Sequence, residues 1–246
     1  MFYAFNGLAR LLVKLGLAQF NTVVEESGQT FTTFHTLGMG GMLAYLALIV
    51  LSCILIPLLV CSVAMPRIWW CRVGKKPVQK SVEIKDIARE MGIMHAVACM
   101  AIEAVLCYAC IQLGAVALHA PGASIAAFFC VMGSIFPVWH KMRGSRGFET
   151  AAICALILSP TVFVFLLVIW AIVLIGMRYA TPARLFAVLL YPLISRAFVM
   201  ESNPTMVLLS VAVVALMLFT HWKNVRAMLD REEPKIRLWK KKTEEK

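Results

Sequence analysis

The sequence predicts an all-α, polytopic membrane protein, and its composition supports that fold class. Of the 246 residues, 61% are hydrophobic and 15% are charged, and the mean hydropathy is +0.82. Water-soluble domains do not have this balance. The charges cluster in a few loops and near the C-terminal end, and long apolar runs lie between them. Residues 37–65 contain no charged residue, and this run exceeds the ~20 residues needed to cross ~30 Å of hydrocarbon.

About seven membrane helices are predicted, some of them short, and the count depends on Ser159 and Pro160. This pair is either a kink in one long helix or a turn between two short ones. A turn places 21 of the 24 Lys and Arg residues on one side of the membrane, whereas a kink separates the two most basic segments. The positive-inside rule therefore favours the turn. The predicted segments then lie near 38–65, 93–118, 123–138, 148–158, 161–177, 184–199 and 205–222.

These segments form a transmembrane domain over residues 37–222, preceded by an extension over 1–36 and followed by a basic tail over 223–246. Within the extension, residues 2–20 contain two basic residues and no acid, and their apolar residues recur at roughly helical spacing. We therefore predict an interfacial amphipathic helix there. A cleavable signal or transit peptide is the alternative interpretation.

The net charge of +11 raises the question of a nucleic-acid partner. However, most of the cations lie next to predicted membrane spans, where they orient the protein and attract anionic lipid headgroups. We therefore predict membrane lipids as partners on the basic side, and no nucleic acid.

The eight cysteines are scattered through the apolar segments. Cys107 and Cys110 form a C-x-x-C pattern, but no second pair and no His at ligand spacing accompany it. Small apolar packing is the role that this distribution favours. No metal site and no cofactor are predicted.

Polar residues suited to chemistry gather in three segments on the basic side. The first, residues 133–147, includes Arg143, Gly144, Arg146 and Gly147. Glycines let backbone N–H groups approach a phosphate, and a guanidinium group binds phosphate through two hydrogen bonds. A turn that merely carries inside-positive charges is the alternative.

The second segment, residues 178–182, contains Arg178 and Thr181, and the third runs from His221 to residue 236. In a helix His221 and Asn224 share a face by their i, i+3 spacing. Such a pair at a membrane boundary can bind phosphate or move a proton. The alternative is a basic helix end whose side chains reach toward the headgroups.

Five landmarks in order carry a family resemblance: GSIFPV at 133–138, RGSRGFETA at 143–151, LSP at 158–160, RY at 178–179, and H-x-x-N at 221–224 followed by EPKI at 233–236. They resemble the segments LGHxFPV, RGGKGVATA, a break between two short helices, RYxSxAS, and HRxN with EPKI. In this order and spacing, those segments are typical of the PlsY family of bacterial membrane glycerol-3-phosphate acyltransferases, which use acyl phosphate as donor. The resemblance covers about residues 125–236 and implies the seven-span topology.

Several family features are altered here. The family's glycine- and hydroxyl-rich SGNxGATN loop is replaced by residues 80–92, in which Glu83 and Asp86 would repel an anionic substrate. Ser134 stands in place of the family His, and Arg146 in place of the family Lys. The family's D-x-x-K-G in the second span is also missing, and Glu103 is the only charge nearby.

We therefore hold two hypotheses. The first is an inactive PlsY-like protein that serves as a structural or lipid-binding subunit of a membrane complex. The second is an active enzyme that moves a fatty acyl group from acyl phosphate to glycerol 3-phosphate. If it is active, the resemblance implies catalytic roles for His221, Asn224 and Ser134, and phosphate binding by Arg143, Gly144, Arg146, Gly147, Arg178 and Thr181.

The expected location is a bacterial inner membrane or an organellar one, such as the mitochondrial inner membrane. The first hypothesis implies other membrane subunits as partners. A transporter is a less favoured class, because the sequence has no inverted repeat and no midplane pair of charged residues.

Overall fold

Helices make up most of this computed structural model, which describes residues 13–16, 18–24, 30–36, 38–63, 65–73, 84–138, 147–177, 180–200 and 203–229. Two strands come first, β1 (Ala18–Val24) and β2 (Thr30–Thr36). Helix α1 (Gly38–Val50) continues through a π-helical turn (Leu51–Leu55) into α2 (Ile56–Cys61). The helices that follow are α3 (Met65–Arg72), α4 (Ile84–Glu90), α5 (Ile93–Ile135), α6 (Phe148–Leu158), α7 (Pro160–Met177), α8 (Ala180–Val199) and α9 (Pro204–Leu229).

The longest helix, α5, folds back on itself as a hairpin. Leu118 (φ −135°, ψ 22°) and His119 (φ 55°, ψ −135°) depart from helical geometry, and Pro121 follows them. Proline lacks a backbone N–H and disfavours helical geometry in the residue before it, so the helical ladder is interrupted here. Gly114 and Gly122 then meet backbone to backbone across the turn. The two halves of α5 therefore run side by side and correspond to two of the predicted segments.

The chain also turns at Ser159, as the charge distribution predicted. The backbone of Ser159 is extended (φ −155°, ψ 100°), α6 ends just before it, and α7 begins at Pro160. Proline suits the first turn of a helix and keeps the preceding residue extended. Phe148 at the start of α6 and Trp170 well along α7 line the same cavity. This requires α6 and α7 to run side by side, and the predicted turn is confirmed.

The outside of the helical bundle is apolar. Met39–Cys61 and Ile93–Ile135 are long and apolar enough to cross a membrane, and three shorter apolar helices follow. Side chains such as Ile172, Ile175 and Phe219 are 64%, 67% and 74% exposed. Exposed apolar surface on this scale is unfavourable in water but natural against lipid, where the backbone hydrogen bonds of a helix are satisfied internally.

Small residues allow close helix contacts inside the bundle, as is common in membranes. A Cβ at Gly133 would lie 2.5 Å from the carbonyl oxygen of Leu58, so the second half of α5 packs directly against α2. The main core cluster then joins α5 to the last four helices, through residues that include Val131, Ile153, Val162, Tyr191 and Met217.

The N-terminal extension differs from the prediction. Strands β1 and β2 pair antiparallel, from Ala18 opposite Thr36 to Val24 opposite Thr30. The amphipathic helix predicted over residues 2–20 is therefore wrong for residues 18–20, which belong to β1, while residues 2–12 lie outside the described part. β1 contains two Val with one Thr and one Phe, and β2 contains four Thr and two Phe. These residue types favour extended structure, and strand pairing overrides a weak helical periodicity.

Candidate functional site

Four helices meet at one end of the bundle, and described residues that flank the polar segments lie there. Gly147, just before α6, has a left-handed backbone (φ 74°). A Cβ at Gly147 would lie 2.5 Å from Ile135 Cγ1 at the end of α5 and 3.3 Å from Met217 Cε in α9. The guanidinium carbon of Arg184, near the start of α8, lies 5.3 Å from the centre of the Phe148 ring. The three polar segments therefore adjoin helix ends that lie close together.

The predicted site residues are described to different extents: backbone and side chain for Ser134 and Gly147, helical backbone alone for Thr181, His221 and Asn224, and neither for Arg143, Gly144, Arg146 and Arg178. His221 comes one helical turn after Met217, which borders Gly147. Thr181 is in the first turn of α8, three residues before Arg184. The backbone of α8 and α9 thus brings Thr181 and His221 toward the same end of the bundle.

Ser134 is bonded within its own helix. Its side chain is 4% exposed, and Oγ donates a hydrogen bond to the backbone carbonyl of Val131 at 2.9 Å. A hydroxyl group has a single proton to donate, and this local bond uses it. Ser134 is therefore placed to fill space at the end of α5, and its proton is directed back into the helix.

Gly147 has a structural reason to be glycine. Its positive φ is unfavourable for residues with a Cβ, and Ile135 and Met217 occupy the space that a side chain would need. The residue is buried at the start of α6. The glycine is thus required by the turn itself, whether or not a phosphate approaches its backbone.

Glu103, the acid within the second predicted span, has a partner from α6. Thr150 Oγ1 donates a hydrogen bond to Glu103 Oε1 at 2.5 Å, and Thr150 is 1% exposed. Glu103 Oε2 has no hydrogen-bond partner among the described residues. A buried carboxyl group needs such contacts because burial removes its hydration. Thr150 was not singled out from the sequence, although it is the only hydroxyl residue in α6.

A helix occupies much of the segment that replaces the family's glycine-rich loop. Residues 84–90 form α4, and the Met91 N–H continues it by donating to the Ile87 carbonyl at 2.8 Å. Ile84 and Ile87 pack into a small cluster with Trp70 and Cys99. Helical backbone N–H groups beyond the first turn are used within the helix. Residues 84–91 therefore form an anchoring helix, in which the N–H groups beyond the first turn are not available to an anion.

A cavity of about 210 Å³ lies mainly between α6, α7 and α8, with Val213 of α9 completing its wall, and it is next to the helix ends described above. Small residues on α6 leave this space open, because Ala side chains face larger groups on α7. The lining residues are Phe148, Ala151, Ala152, Ala155, Phe163, Leu166, Leu167, Trp170, Ala187, Val188, Tyr191 and Val213. Such a lining suits an apolar chain. The sequence did not predict this cavity, since the space between three helices depends on their relative placement.

Comparison with known proteins agrees with this architecture. A family model described as glycerol-3-phosphate acyltransferase matches residues 78–231, well over half of the chain. The match begins before residue 125, where the sequence landmarks start, so the resemblance extends further than the motifs indicated. It includes the segment in which the family's first motif is replaced.

Curated relatives carry the same name. A glycerol-3-phosphate acyltransferase of Coxiella burnetii (strain CbuG_Q212) is 30% identical over 124 residues, covering 49% of this chain and 62% of the relative. One from Nitrobacter winogradskyi is 32% identical over 124 residues, covering 50% and 61%. The matched part thus spans about three-fifths of the length of these relatives.

Two crystal structures share the fold. Both are of PlsY, an integral membrane glycerol 3-phosphate acyltransferase, in its lysophosphatidic acid form and its glycerol 3-phosphate form. Each has a TM-score of 0.64 and 18% sequence identity, covers 78% of this chain, and is itself covered to 95% or 96%. The polytopic α-helical membrane fold and the resemblance identified from the landmarks are both confirmed. The chain belongs to the glycerol-3-phosphate acyltransferase family, of PlsY type, and is an integral membrane protein.

Proposed function

We propose that this chain is a family member that has lost acyl transfer and acts as a lipid-binding structural subunit of a membrane complex. The observation that carries the proposal is the state of Ser134. The family has a His there, whereas here a buried hydroxyl donates to the carbonyl of Val131. Such a group neither accepts a proton from a substrate hydroxyl nor reaches a phosphate while that bond persists.

Two further features support loss of activity. The family's glycine-rich loop is replaced over residues 84–90 by α4, which contains Asp86 and Glu90 and buries Ile87 completely. The helix also carries Lys85 and Arg89, so the loss of the glycine-rich backbone, and not a net negative charge, is what disfavours two anionic substrates. Glu103 bonds to Thr150, so this carboxyl group packs inside the bundle and does not reproduce the family's acid–base pair.

Lipid binding rests on the cavity between α6, α7 and α8. Its walls are almost entirely apolar, and it reaches Phe148, whose ring lies against Arg184. An acyl chain in the cavity would therefore have the guanidinium group of Arg184 near the end of the cavity that Phe148 lines. A chain in such a cavity gains from the removal of apolar surface, and a guanidinium group favours an anionic headgroup.

An active acyltransferase is the second candidate, supported by the family match and by the helical placement of His221 and Asn224 in α9. In that reaction the 1-hydroxyl oxygen of glycerol 3-phosphate attacks the acyl carbon, and the bond from that carbon to phosphate breaks. Phosphate leaves with the electron pair and takes up the proton. Because acyl phosphate is already activated, positioning and charge stabilisation suffice.

An activity assay separates the two candidates. Purified full-length protein in lipid nanodiscs is mixed with acyl phosphate and glycerol 3-phosphate, and lysophosphatidate is measured by mass spectrometry. We expect no turnover above a protein-free control. Turnover that both His221→Ala and Arg146→Ala abolish would overturn the proposal and establish the enzyme.

Lipid binding is tested by native mass spectrometry of the detergent-solubilised protein. We expect a retained glycerolipid, and Ala152→Phe to remove it because the new ring fills the cavity. Leu156→Phe is the matched control, since Leu156 lies on the same helix but is 44% exposed. Equal lipid retention by both variants would contradict the cavity as the binding place.

The subunit role is tested by gentle purification from the native membrane. A complex of defined stoichiometry supports it. A chain that migrates alone after extraction in several mild detergents, with its lipid still bound, contradicts the subunit role and leaves lipid binding intact.

A further inference from the structure

Five of the eight cysteines converge inside the bundle, although they come from distant parts of the chain. Cys61 is at the end of α2, Cys107, Cys110 and Cys130 are in α5, and Cys154 is in α6. The Sγ atoms of Cys61 and Cys107 lie 4.0 Å apart. With Cys130 they form a trio whose sulfur atoms all lie within 4.8 Å of one another. The thiols of Cys110 and Cys154 interact with members of this trio.

Three packing features build this thiol cluster. The hairpin turn at Leu118 and His119 returns the second half of α5 alongside the first, which places Cys130 next to Cys107. The contact of Gly133 with the Leu58 backbone brings the end of α2, and hence Cys61, against both. Cys107 and Cys110 differ by three residues and so share one helix face.

The surroundings of the thiol cluster are apolar. Cys107 and Cys130 are 0% exposed, and Cys107, Cys110, Cys130 and Cys154 are members of the main core cluster. The described part of the chain thus offers sulfur donors in a setting that excludes water. Hard ions such as Mg²⁺ and Ca²⁺ prefer oxygen ligands, whereas thiolates select soft ions.

The spacing also suits an ion. A tetrahedral site with metal–sulfur bonds of about 2.3 Å needs its sulfur atoms about 3.8 Å apart. The observed 4.0 Å between Cys61 and Cys107 is close to that separation. Cys110 and Cys154 belong to the same core cluster and interact with the trio, so they are the candidates for a fourth sulfur.

We propose that Cys61, Cys107 and Cys130, with Cys110 or Cys154, form a binding site for a soft, thiophilic metal ion of the Zn²⁺ or Cu⁺ type. Each ligand that becomes a thiolate releases one proton to water, and the cation offsets two of the resulting negative charges in the Zn²⁺ case and one in the Cu⁺ case. No electron transfer is involved. The trio joins α2 to both halves of α5, and the role of the site is structural and independent of acyl transfer.

The test is metal stoichiometry on full-length protein without a histidine tag. The purified protein is reduced and stripped of metal in detergent, divided into two anaerobic samples and given Zn²⁺ or Cu⁺. After desalting, we expect about one equivalent of at least one ion per chain. X-ray absorption at that metal is expected to show a sulfur-only shell, with metal–sulfur bonds of about 2.3 Å in the Zn²⁺ arm.

Variants locate the ion. We expect Cys107→Ala and Cys130→Ala to weaken retention at least about tenfold, since losing even a group that only supports a ligand can cost that much. Cys99→Ala is the matched control, because Cys99 is equally buried in α5 but belongs to a different cluster. It is expected to retain the ion.

Three outcomes overturn the proposal. The folded wild-type protein retains neither ion, its absorption spectrum shows a nitrogen and oxygen shell, or the triple variant of Cys61, Cys107 and Cys130 keeps the ion. The first two need no variant, so the proposal stays testable if substitutions prevent folding. Mass mapping that finds a Cys61–Cys107 disulfide in protein purified without reductant, together with no metal uptake after reduction, assigns the thiol cluster to disulfide formation instead.

Discussion

Gly114 and Gly122 lie backbone to backbone across the turn of α5, and a Cβ added at Gly114 would lie 2.5 Å from the carbonyl oxygen of Gly122. The same Cβ would also lie 2.7 Å from Cβ of Ala126. No rotamer change relieves either contact, because backbone and Cβ positions are set by the helices themselves. The closeness of the two halves of α5, and with it the position of Cys130 beside Cys107, depends on these two glycines.

We therefore expect Gly114→Ala to destabilise the fold by about 1–3 kcal/mol, the usual cost of overpacking. Gly176→Ala in α7 is the matched control, because nothing lies within 4 Å of its added Cβ and alanine favours helix by about 1 kcal/mol. Unfolding of both variants is measured in mild detergent. Equal stability would show that the hairpin is not closely packed at this point.

Asn203 joins the start of α9 to the second half of α5. Its Nδ2 donates to Ser124 Oγ at 2.8 Å and to the Ala120 carbonyl at 3.2 Å, while its Oδ1 accepts from the Met206 N–H at 3.2 Å. We expect Asn203→Ala to cost about 1–3 kcal/mol, since buried partners lose their bonds.

Asn203→Asp separates the helix cap from the bonds to α5. The carboxylate still accepts from the Met206 N–H but has no group that donates to Ser124 and Ala120. It is expected to be destabilised as well, by removal of the α5 contacts and by burial of a charge. The same unfolding measurement applies. An aspartate variant as stable as wild type would mean that only the helix cap matters.

The Glu103–Thr150 hydrogen bond leads to a prediction about the charge at residue 103. Glu103→Gln keeps an acceptor for the Thr150 hydroxyl and removes any cost of a buried carboxyl group, so we expect stability equal to or above that of wild type. Thr150→Val keeps the shape and leaves Glu103 without this partner, at a cost of about 1–3 kcal/mol. Urea or detergent unfolding of both variants checks this, and the opposite order of stability would contradict it.

Ser134→Ala should have little effect. Among the described residues the hydroxyl is bonded only to its own helix, and such local bonds contribute little to helix stability. We expect a change in unfolding free energy below about 1 kcal/mol and unchanged lipid retention. If the protein proves active and Ser134→Ala abolishes turnover, the local bond must open during the reaction, and the hydroxyl acts as the sequence hypothesis suggested.

Gly147→Ala should be far less tolerated than Ser134→Ala. The positive φ and the space taken by Ile135 both act against a side chain, and each costs about 1 kcal/mol or more. Loss of folded protein is expected even in conditions where no phosphate is present. A stable Gly147→Ala variant with reduced affinity for inorganic phosphate would instead support the phosphate-binding role.

Much of this architecture could be predicted because the membrane restricts which residues a spanning segment can contain. Burying a charge in hydrocarbon is costly for each segment, whatever its neighbours. The uncharged run 37–65 and the distribution of Lys and Arg follow from that cost. The turn at Ser159 is a local property of a residue before proline. The landmarks around Gly147, Arg178 and His221 were recognisable because their order and spacing can be read directly from the sequence.

The β-hairpin was missed because the preference of residues 18–24 for a strand is realised only when residues 30–36 pair with them. Ser134 gave no sign of its bond to Val131, since a serine in a helix can point in several directions. Burial at the end of α5 determines which of these directions the Ser134 side chain takes.

By itself, the sequence determined the membrane class, the break between α6 and α7 and the family, because each depends on local composition or on the order of motifs. Only the tertiary structure decided that Thr150 meets Glu103 and that Cys61, Cys107 and Cys130 share one site. Those contacts arise where helices distant in sequence pack on glycines, and the spacing of residues along a chain does not encode which buried faces will meet.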